Sequence, residues 1–336
     1  MTTAVHDVPG VPKKMRAAYI KQFGPPEEVV VGELAVPSPG PTDVLVAVEV
    51  VAANRVDTLV RSGRYPTRAP FPFVVGRDLV GTVAASGPGT PFYVGERVWA
   101  NSLGHDGRQG SFSEYAVVPA ERCYRLPAGV DPALCAAVAH PAATAYLAWF
   151  VHGGLQPGQC VYVGGGAGNV GSAAIAMARR SGARVVASAR PAGHDSCREA
   201  GADVVLDYHD ADLAGRLRAV APEGFDLFWE TSGNNDLNLA VSAVAPGGTV
   251  LLSAATEEWP LLPVREMYTR NINLCGFVMS RATATQLAAA SRLINTMLAA
   301  GELNTPPSEV LPLEATAEAH ARLEAEAVTG RLLLRP

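Results

Sequence analysis

Hydrophobic and polar positions change their period along the chain, and the change divides the sequence into two parts. Before residue 131, short apolar runs alternate with proline and glycine clusters such as Gly24-Pro25-Pro26. Runs of this length between turn residues are typical of strands in a compact, antiparallel, barrel-like domain. After residue 131, alanine-rich helical segments alternate with short buried runs, which indicates a parallel sheet covered by helices. The pattern predicts an α/β chain in which a β-rich domain precedes a doubly wound domain.

The individual elements follow from the same pattern. In the first part, strands are predicted at 15–20, 28–34, 43–52, 73–75, 79–85, 97–100 and 113–118. A helix is predicted from 133 to 151, with Asp131 as its cap and Pro132 in its first turn. The later strands are predicted at 160–163, 184–189, 203–206, 227–230, 248–253 and 330–334, and further helices at 213–220, 237–244, 283–300 and 315–325.

Residues 160–190 are the most informative stretch, because they combine a strand, a glycine-rich turn, a helix and a second strand. Glycine tolerates the positive φ of a tight turn and lets a pyrophosphate approach the backbone. The free N–H groups of the helix start, with the helix dipole behind them, then face the anion. Two registers fit, Gly166-x-Gly168-x-x-Gly171 and Gly165-x-x-Gly168-x-x-Gly171. Either register predicts a dinucleotide site, and the alternative is a turn that binds nothing.

The end of the second strand predicts which nicotinamide cofactor binds. An NAD site usually places an acidic residue there, which accepts hydrogen bonds from the ribose hydroxyls. This strand ends with Ser188, Ala189 and Arg190, and the first carboxylate after it is Asp195. A guanidinium suits a 2′-phosphate through a charge-assisted contact. We therefore expect NADPH, with Ser188 and Arg190 among its contacts; the alternative is that Arg190 is a solvated arginine.

Composition and charge narrow the class of function. The chain has 336 residues, 48% of them hydrophobic, so two domains with large cores are expected. The formal net charge of −5 argues against a nucleic-acid partner, and no apolar run approaches the length of a membrane span. The five cysteines are scattered and form no C-x-x-C pair, which fits a reducing cytoplasm. Residues 1–14 lack the apolar core of a signal peptide and are expected to form a flexible extension.

Several short motifs occur in a specific order along residues 15–336. They include Val51-Ala-Ala-Asn-Arg-Val-Asp57, Gly76-Arg-Asp-Leu-Val-Gly81, Gly110-Ser-Phe-Ser-Glu-Tyr115 and Ala245-Pro-Gly-Gly248, besides the glycine loop. In this order and spacing the chain resembles the medium-chain dehydrogenase/reductase superfamily, and within it the zinc-free quinone oxidoreductases of the zeta-crystallin type. The resemblance implies a GroES-like catalytic domain at 15–133 and 275–336, an NADP-binding Rossmann domain at 134–274, and a homodimer. It also implies NADPH-dependent hydride transfer to a quinone or another α,β-unsaturated carbonyl compound.

Two positions argue against a metal site. Zinc alcohol dehydrogenases of the superfamily have a cysteine near the position of Asn54, and Gly-His-Glu where this chain has Gly76-Arg77-Asp78. Asparagine and arginine are poor zinc ligands, and no cysteine precedes Cys123 to form a structural zinc lobe. His105 and His140 remain, but neither has a ligand partner at a recognisable spacing. No metal is therefore expected.

The resemblance also carries individual residues over to this chain. Asn54 is expected near the nicotinamide, where its amide could bind the substrate carbonyl, or else it stabilises its loop. Tyr65 is expected to line the substrate pocket and to donate to a developing oxyanion, or else only to pack. Asn54 and Tyr65 are thus the predicted catalytic residues, whereas Asp57 and Asp78 are expected to be structural. The predicted cofactor contacts are Asn54, Thr144, Gly165, Gly168, Asn169, Val170, Gly171, Ser188, Arg190, Tyr208, Ser253, Phe277 and Val278.

Departures from the family pattern leave alternatives open. The lysine that often grips the 2′-phosphate after the second strand is missing, and His140 stands where the family more often has an apolar residue. Arg61, Arg64 and Arg68 either are solvated or favour an acidic or phosphorylated substrate. An enoyl-thioester reductase, acting on an enoyl-CoA or a carrier-bound chain, is therefore the second enzymatic interpretation. The interpretation of another class is a non-catalytic NADPH-binding protein.

Overall fold

The computed structural model describes residues 10–256, 259–305, 308–328 and 330–336. Residues 1–9, most of the predicted N-terminal extension, lie outside these ranges. The chain forms two compact units. Unit 1 runs up to His140 and includes Leu287–Ala300 and Thr305–Pro336, and unit 2 comprises Pro141–Gln286 and Gly301–Asn304.

The described ranges contain strands and helices in the following order. The strands are β1 (Lys14–Ile20), β2 (Val30–Ala35), β3 (Asp43–Ala53), β4 (Phe73–Val74), β5 (Leu79–Ser86), β6 (Arg97–Ala100), β7 (Tyr115–Pro119), β8 (Cys123–Arg125), β9 (Cys160–Gly164), β10 (Arg184–Ala189), β11 (Val204–Asp207), β12 (Phe225–Glu230), β13 (Val244–Leu252), β14 (Asn273–Gly276), β15 (Ser308–Pro312) and β16 (Arg331–Arg335). The α-helices are α1 (Arg55–Arg61), α2 (Pro132–Tyr146), α3 (Asn169–Arg180), α4 (His194–Glu199), α5 (Leu213–Val220), α6 (Leu237–Ala243), α7 (Val264–Thr269), α8 (Ala284–Ala299) and α9 (Thr316–Glu324).

Unit 1 is built mainly on antiparallel strands, as the short runs of its sequence predict. One sheet has the order β2–β1–β4, and a second has the order β15–β16–β3–β5–β6–β8, with β7 also paired to β3. Strand β3 is central because it pairs with β5, β7 and β16. Its Val44 and Val46 pack in a core with fully buried Phe73, Leu79 and Phe112. The predicted β-rich domain is therefore confirmed.

Unit 2 contains a parallel sheet with the order β11–β10–β9–β12–β13–β14. Every neighbouring pair in this sheet is parallel. The strand order reverses beside β9, which continues into β10 on one side and lies next to β12 on the other. In doubly wound sheets, ligands bind at such a switch point, outside the carboxyl ends of the strands. The predicted doubly wound domain is confirmed, and its sheet has one edge at which all carboxyl ends meet.

Helix α2 continues into a π-helical segment at Leu147–His152, and the boundary between the two units falls within α2. Residues 132–152 form one helix that is long and apolar enough to cross a membrane. The expectation that no apolar run approaches the length of a membrane span is therefore wrong, since this helix has both the required length and the required composition. The most apolar window of this helix is 67% buried inside the protein, as in the core helix of a soluble protein.

Candidate active site and cofactor edge

The glycine loop joins β9 to α3 at the carboxyl edge of the unit 2 sheet. Gly165 has a φ of +66°, a backbone conformation that residues other than glycine rarely adopt. A Cβ at Gly171 would lie 2.2 Å from the Gly165 carbonyl oxygen, whereas one at Gly168 would lie 3.1 Å from the same oxygen. The tight turn and the close helix contact thus depend on Gly165, Gly168 and Gly171. Gly166 is also closely packed, because a Cβ there would lie 3.0 Å from the Cβ of Ala187, so both registers fit the loop.

The first turn of α3 leaves backbone donors available. The helix begins at Asn169 after Gly168, and no side chain caps it. The first N–H groups of a helix, here including those of Asn169, Val170 and Gly171, have no acceptor within the helix. They lie at the positive end of the helix dipole, so they favour an anion. The loop and helix start therefore fit the pyrophosphate of a dinucleotide.

Arg190 and Tyr208 lie side by side at the same edge. Ala189 of β10 pairs with Asp207 of β11, so each of the two residues directly follows the last paired position of its strand. Both side chains are exposed, and the Arg190 guanidinium makes no hydrogen bond or ion pair with any residue that the structure describes. Asp195 instead accepts a hydrogen bond of 2.7 Å from the guanidinium of Arg198. An unpaired cation without a competing carboxylate fits a 2′-phosphate.

Ser188 lies beneath this surface. It is fully buried, and its hydroxyl is 2.7 Å from the hydroxyl of Tyr162. Its carbonyl oxygen accepts the N–H of Gly166 at 2.8 Å. Ser188 therefore supports the glycine loop from inside the sheet, and its side chain does not face the surface as the predicted direct contact requires.

Ser253 and Phe277 follow the ends of β13 and β14 at the same edge. The indole N–H of Trp229 donates to the Ser253 hydroxyl at 3.0 Å. The ring of Phe277 stacks on His152 with 4.8 Å between ring centroids. Val278, the next residue, is half-buried in extended conformation. The three predicted residues thus lie just after the ends of β13 and β14.

Thr144 reaches this group from helix α2. Its hydroxyl lies 3.8 Å from the sulfur of Met279, which directly follows Val278 in the chain. The structure thus brings Thr144 next to the segment that begins at Phe277, although more than a hundred residues separate them in sequence. The predicted cofactor contacts of unit 2 therefore lie along one edge, apart from the buried side chain of Ser188.

Glu230 also lies at this edge, although the sequence pattern did not predict it as a site residue. It ends β12, and a Cβ at Gly164 would lie 1.9 Å from its carboxylate, so it packs directly against the start of the loop. The N–H of Ser232 donates to it at 2.9 Å, and burial raises the pKa of its carboxyl group. Its position could have indicated a functional residue, because an acidic residue stands at the end of the strand that pairs with β9.

Unit 1 contains a buried polar cluster, which consists of Asn54, Asp57, Asp78, His140 and Arg331. The Asn54 amide donates to Asp78 at 2.7 Å and to a backbone carbonyl at 3.2 Å, and its oxygen accepts from Arg331 at 2.9 Å. Nδ1 of His140 lies 3.4 Å from the Asp78 carboxylate. Because both amide hydrogens of Asn54 are engaged, the predicted donation to a substrate carbonyl would require one of these bonds to break.

The cluster places like charges close together away from water. Burial, followed by the nearby Asp78 carboxylate, raises the pKa of Asp57 to about 7. The Asp57 carboxylate accepts the backbone N–H of Asn54 at 2.8 Å, which opposes this rise. Burial lowers the pKa of Arg331 to about 10, a value that keeps it charged at neutral pH. One of the two carboxyl groups is therefore partly protonated near neutrality.

Tyr65, the second predicted catalytic residue, is half-buried in unit 1. The guanidinium carbon of Arg77 lies 5.4 Å from the centre of its ring, and the His105 ring meets it edge-on. Its hydroxyl makes no hydrogen bond with the residues that the structure describes. The phenol therefore remains available as a donor, in contrast to the Asn54 amide.

Two of the three arginines that suggested an acidic substrate are already paired. Arg61 is buried, forms an ion pair with Glu324 and donates to the carbonyl of Gly24 at 2.6 Å. Arg64 lies 3.3 Å from the same Glu324 carboxylate. Arg68 is exposed. These contacts remove most of the support that the arginines gave to a phosphorylated or CoA-bound substrate.

Across the described ranges, no group of three or more histidine, cysteine or carboxylate side chains could bind a metal ion. The position at which related zinc enzymes have a cysteine is Asn54, and its amide is hydrogen-bonded within the buried polar cluster. Asparagine and arginine side chains do not supply the thiolate and imidazole ligands that zinc prefers. The residues of unit 1 therefore do not fit a catalytic zinc ion.

Comparisons with known proteins agree with this architecture. A model for the alcohol dehydrogenase GroES-like domain matches residues 40–128, and one for zinc-binding dehydrogenases matches residues 169–296. The chain is 28% identical to the human quinone oxidoreductase over 96% of its own length and 98% of that protein. It is 30% identical to an NAD-dependent alcohol dehydrogenase of known structure (TM-score 0.86, covering 96% of this chain and 100% of the other). A mycobacterial protein complexed with NADPH is 26% identical (TM-score 0.83, with coverage of 96% and 100%).

Proposed function

The chain belongs to the medium-chain dehydrogenase/reductase superfamily as an NAD(P)-binding oxidoreductase, and we propose that it uses NADPH to reduce quinones or other α,β-unsaturated carbonyl compounds without zinc. The unpaired Arg190 beside Tyr208 is the observation that carries the choice of NADPH. Relatives named quinone oxidoreductase and the NADPH complex of a neighbour support it. The 30% identical NAD-dependent neighbour makes NADH the alternative that the experiment must exclude.

The residues divide the work between the two units. In unit 2, the N–H groups at the start of α3 bind the pyrophosphate and Arg190 binds the 2′-phosphate. When bound, the reduced nicotinamide would supply a hydride to an electron-poor carbon of the substrate. In unit 1, the phenol of Tyr65 donates to the carbonyl oxygen as negative charge develops on it. Asn54 acts as a positioning residue, because its amide links Asp78 and Arg331 at the start of α1.

We also propose that the protein forms a homodimer in the cytoplasm, whose reducing conditions suit its five free cysteines. Strand β14 is an edge strand of the unit 2 sheet, and Leu274 within it is exposed. Trp259, Leu261 and Tyr268, which precede it, are also large exposed apolar side chains. An open strand edge with apolar neighbours favours pairing with a second copy of the chain. Light scattering coupled to size-exclusion chromatography tests this proposal directly.

Replacement of Arg190 by alanine tests the choice of cofactor. The wild-type protein should oxidise NADPH in preference to NADH with 9,10-phenanthrenequinone or a simple enone, and EDTA should not change the rate. Loss of a charged hydrogen bond costs about 1.5–3 kcal/mol, so Arg190→Ala should lower kcat/KM for NADPH by roughly 10-fold to 100-fold and leave NADH unchanged.

Arg265→Ala is the matched control, because it removes an exposed arginine from helix α7 of the same unit. A wild-type preference for NADH, or an equal loss with both cofactors in Arg190→Ala, would contradict the NADPH assignment. Loss of activity with EDTA would contradict the zinc-free mechanism. Tight NADPH binding without turnover of any acceptor would favour the non-catalytic alternative, and turnover of crotonyl-CoA alone would favour the enoyl-thioester alternative.

A further inference from the structure

Three buried polar side chains of unit 1, here called the donor cluster, make no hydrogen bond with any residue that the structure describes. Arg77 is 1% exposed, and Asn101 and Ser102 are 0% exposed. The unpaired atoms are all three guanidinium nitrogens of Arg77, both polar side-chain atoms of Asn101 and the hydroxyl of Ser102. Buried polar groups are hydrogen-bonded as a rule, because losing water without gaining a partner is costly. Six such atoms on three residues therefore indicate a missing bound partner.

The backbone brings the three residues together. Leu79 of β5 pairs with Ala100 of β6 in an antiparallel register. Just beyond the ladder, the N–H of Leu103 donates to the carbonyl oxygen of Arg77 at 3.0 Å. Asn101 and Ser102 lie between these two contacts and thus run alongside Arg77 and its neighbour. The three residues of the donor cluster are therefore neighbours in the backbone.

Positive and negative side chains both lie near the donor cluster, but the guanidinium of Arg77 is paired with none of them. Arg77 forms no ion pair with a carboxylate of the described chain. Arg108 is also close: burial, Arg122 and Arg77 lower its pKa, whereas the carboxylates of Asp106 and Glu121 raise it. The Asp57 carboxyl group, whose charged form Arg77 favours, is partly protonated near neutral pH, and the Asp78 carboxylate accepts from Asn54. The unpaired guanidinium of Arg77 can therefore pair with a ligand that carries one negative charge.

We propose that the donor cluster binds the carboxylate of an acidic substrate, so that 4-oxo-2-enoates and similar keto acids are preferred over neutral enones. A guanidinium matches a carboxylate through two parallel hydrogen bonds, and the Asn101 amide and Ser102 hydroxyl supply further donors. A compact monoanion suits a site that is closed to water better than a dianionic phosphate does. The choice of substrate rests on the proposed reductase function, whereas the binding of a carboxylate does not.

A binding measurement tests the carboxylate site without turnover. Calorimetry would compare 4-oxopentanoate, neutral pentan-2-one and inorganic phosphate, titrated into the protein alone and with saturating NADP⁺ or NAD⁺. We expect 4-oxopentanoate to bind most tightly in at least one of these states. Arg77→Met should weaken its binding by at least about 10-fold, and Arg77→Lys should weaken it less because the charge remains.

Arg64→Met is the matched control, because it removes an exposed arginine of the same unit and should leave binding unchanged. Circular dichroism would establish that each variant is folded, and Arg77→Lys serves as the second variant if Arg77→Met is not. Equal affinity for 4-oxopentanoate in the wild type and in both Arg77 variants, or no affinity in any state, would overturn the proposal. Tighter binding of phosphate than of 4-oxopentanoate would also overturn it.

Turnover of a matched pair of substrates separates this proposal from the proposed function. Pent-3-en-2-one and 4-oxopent-2-enoate share the same enone, and only the second carries a carboxylate. We expect the wild type to favour the acid by at least about 10-fold in kcat/KM, and Arg77→Met to lower that ratio by at least about 10-fold. Reduction of both compounds at equal rates would refute the acid preference and leave the reductase function intact. Reduction of neither, with Arg77-dependent binding of 4-oxopentanoate, would refute the reductase function and leave the carboxylate site intact.

Discussion

Replacement of Asp57 by asparagine is the most direct test of the electrostatics in the buried polar cluster. Asp57 is 2% exposed, and one carboxylate oxygen accepts the N–H of Asn54 while the other has no partner among the described residues. Burial and then the nearby Asp78 raise its pKa from an ordinary value of 3.8 to about 7. The substitution keeps an oxygen for the Asn54 N–H but removes the group that titrates. Its effect on stability must therefore depend on pH.

The direction of the pH dependence of stability follows from proton linkage. Because the folded-state pKa lies above the unfolded one, the folded state retains a proton that the unfolded state has already released. The resulting stabilisation is complete below a pH of about 4 and is lost as the pH rises through about 7. A difference of about three pKa units corresponds to about 4 kcal/mol. The stability advantage of Asp57→Asn should therefore grow from about 2 kcal/mol at pH 5 to about 4 kcal/mol at pH 8.

Equilibrium urea unfolding, followed by circular dichroism from pH 5 to pH 8, measures this difference. Asp43→Asn is the matched control, because Asp43 also accepts a backbone N–H from three residues earlier, at 3.1 Å, but is only half-buried. Its effect should be small throughout the range. A difference for Asp57→Asn that does not change with pH would refute the argument. So would a variant less stable than the wild type at pH 8, since that result would show that Arg77 stabilises the charge more than burial penalises it.

Two further predictions concern the loop and a second buried residue. Gly171→Ala should weaken NADPH binding by at least about 10-fold in a fluorescence titration, because its Cβ would lie 2.2 Å from the Gly165 oxygen, whereas Gly168→Ala, at 3.1 Å, should have a milder effect. His320 is fully buried, and burial lowers its pKa to about 3, so its contribution to stability is complete above a pH of about 6.5 and is lost as the pH falls. His320→Gln should therefore gain about 2 kcal/mol relative to the wild type between pH 7.5 and pH 5 in urea unfolding.

Each of these predictions has a result that contradicts it. Equal NADPH affinity in Gly171→Ala and the wild type would mean that the loop can shift without loss of its donors. Equal pH dependence in His320→Gln and the wild type would mean that His320 is not held neutral by burial. The exposed His209 provides the control for the second experiment, since His209→Gln removes a histidine that water already surrounds.

The secondary structure could be predicted where the residues that determine an element are close together in sequence. The strand, glycine loop and helix of residues 160–180 are adjacent in sequence, so composition and spacing were sufficient to place them. Strand β14 was missed because Asn273-Leu-Cys-Gly276 is short, largely exposed and lacks an apolar run. Helices α4 and α7 were missed because each has only six residues, fewer than two turns of helical periodicity. The predicted pattern is therefore reliable for longer elements and weak for short ones, including the largely buried helix α1 and strand β8, which were also missed.

The buried polar cluster could not be predicted in the same way. Asn54 contacts Asp78 and Arg331, which lie 24 and 277 residues away in sequence. Neither periodicity nor spacing relates positions so far apart, and a buried arginine looks in sequence like an exposed one. The resemblance placed Asn54 in the site, but only the structure shows that its amide hydrogens are engaged. The same holds for Ser188, whose hydroxyl pairs with Tyr162 across neighbouring strands.

The side chains of Asn54 and Arg77 differ in how many hydrogen bonds the folded chain gives them. This difference distinguishes a residue that positions its neighbours from one that is available to bind a ligand. The amide of Asn54 bonds to a carboxylate, a guanidinium and a backbone carbonyl, so its removal would act first on the fold. The guanidinium of Arg77 is equally buried but has no hydrogen bond with the described residues, and it lies over the ring of Tyr65. Sequences that specify one structure usually break the rule of satisfied polar groups only at functional sites. We therefore propose that Arg77 and Tyr65 have the binding role in unit 1, and that Asn54 contributes by fixing the strand end from which α1 begins.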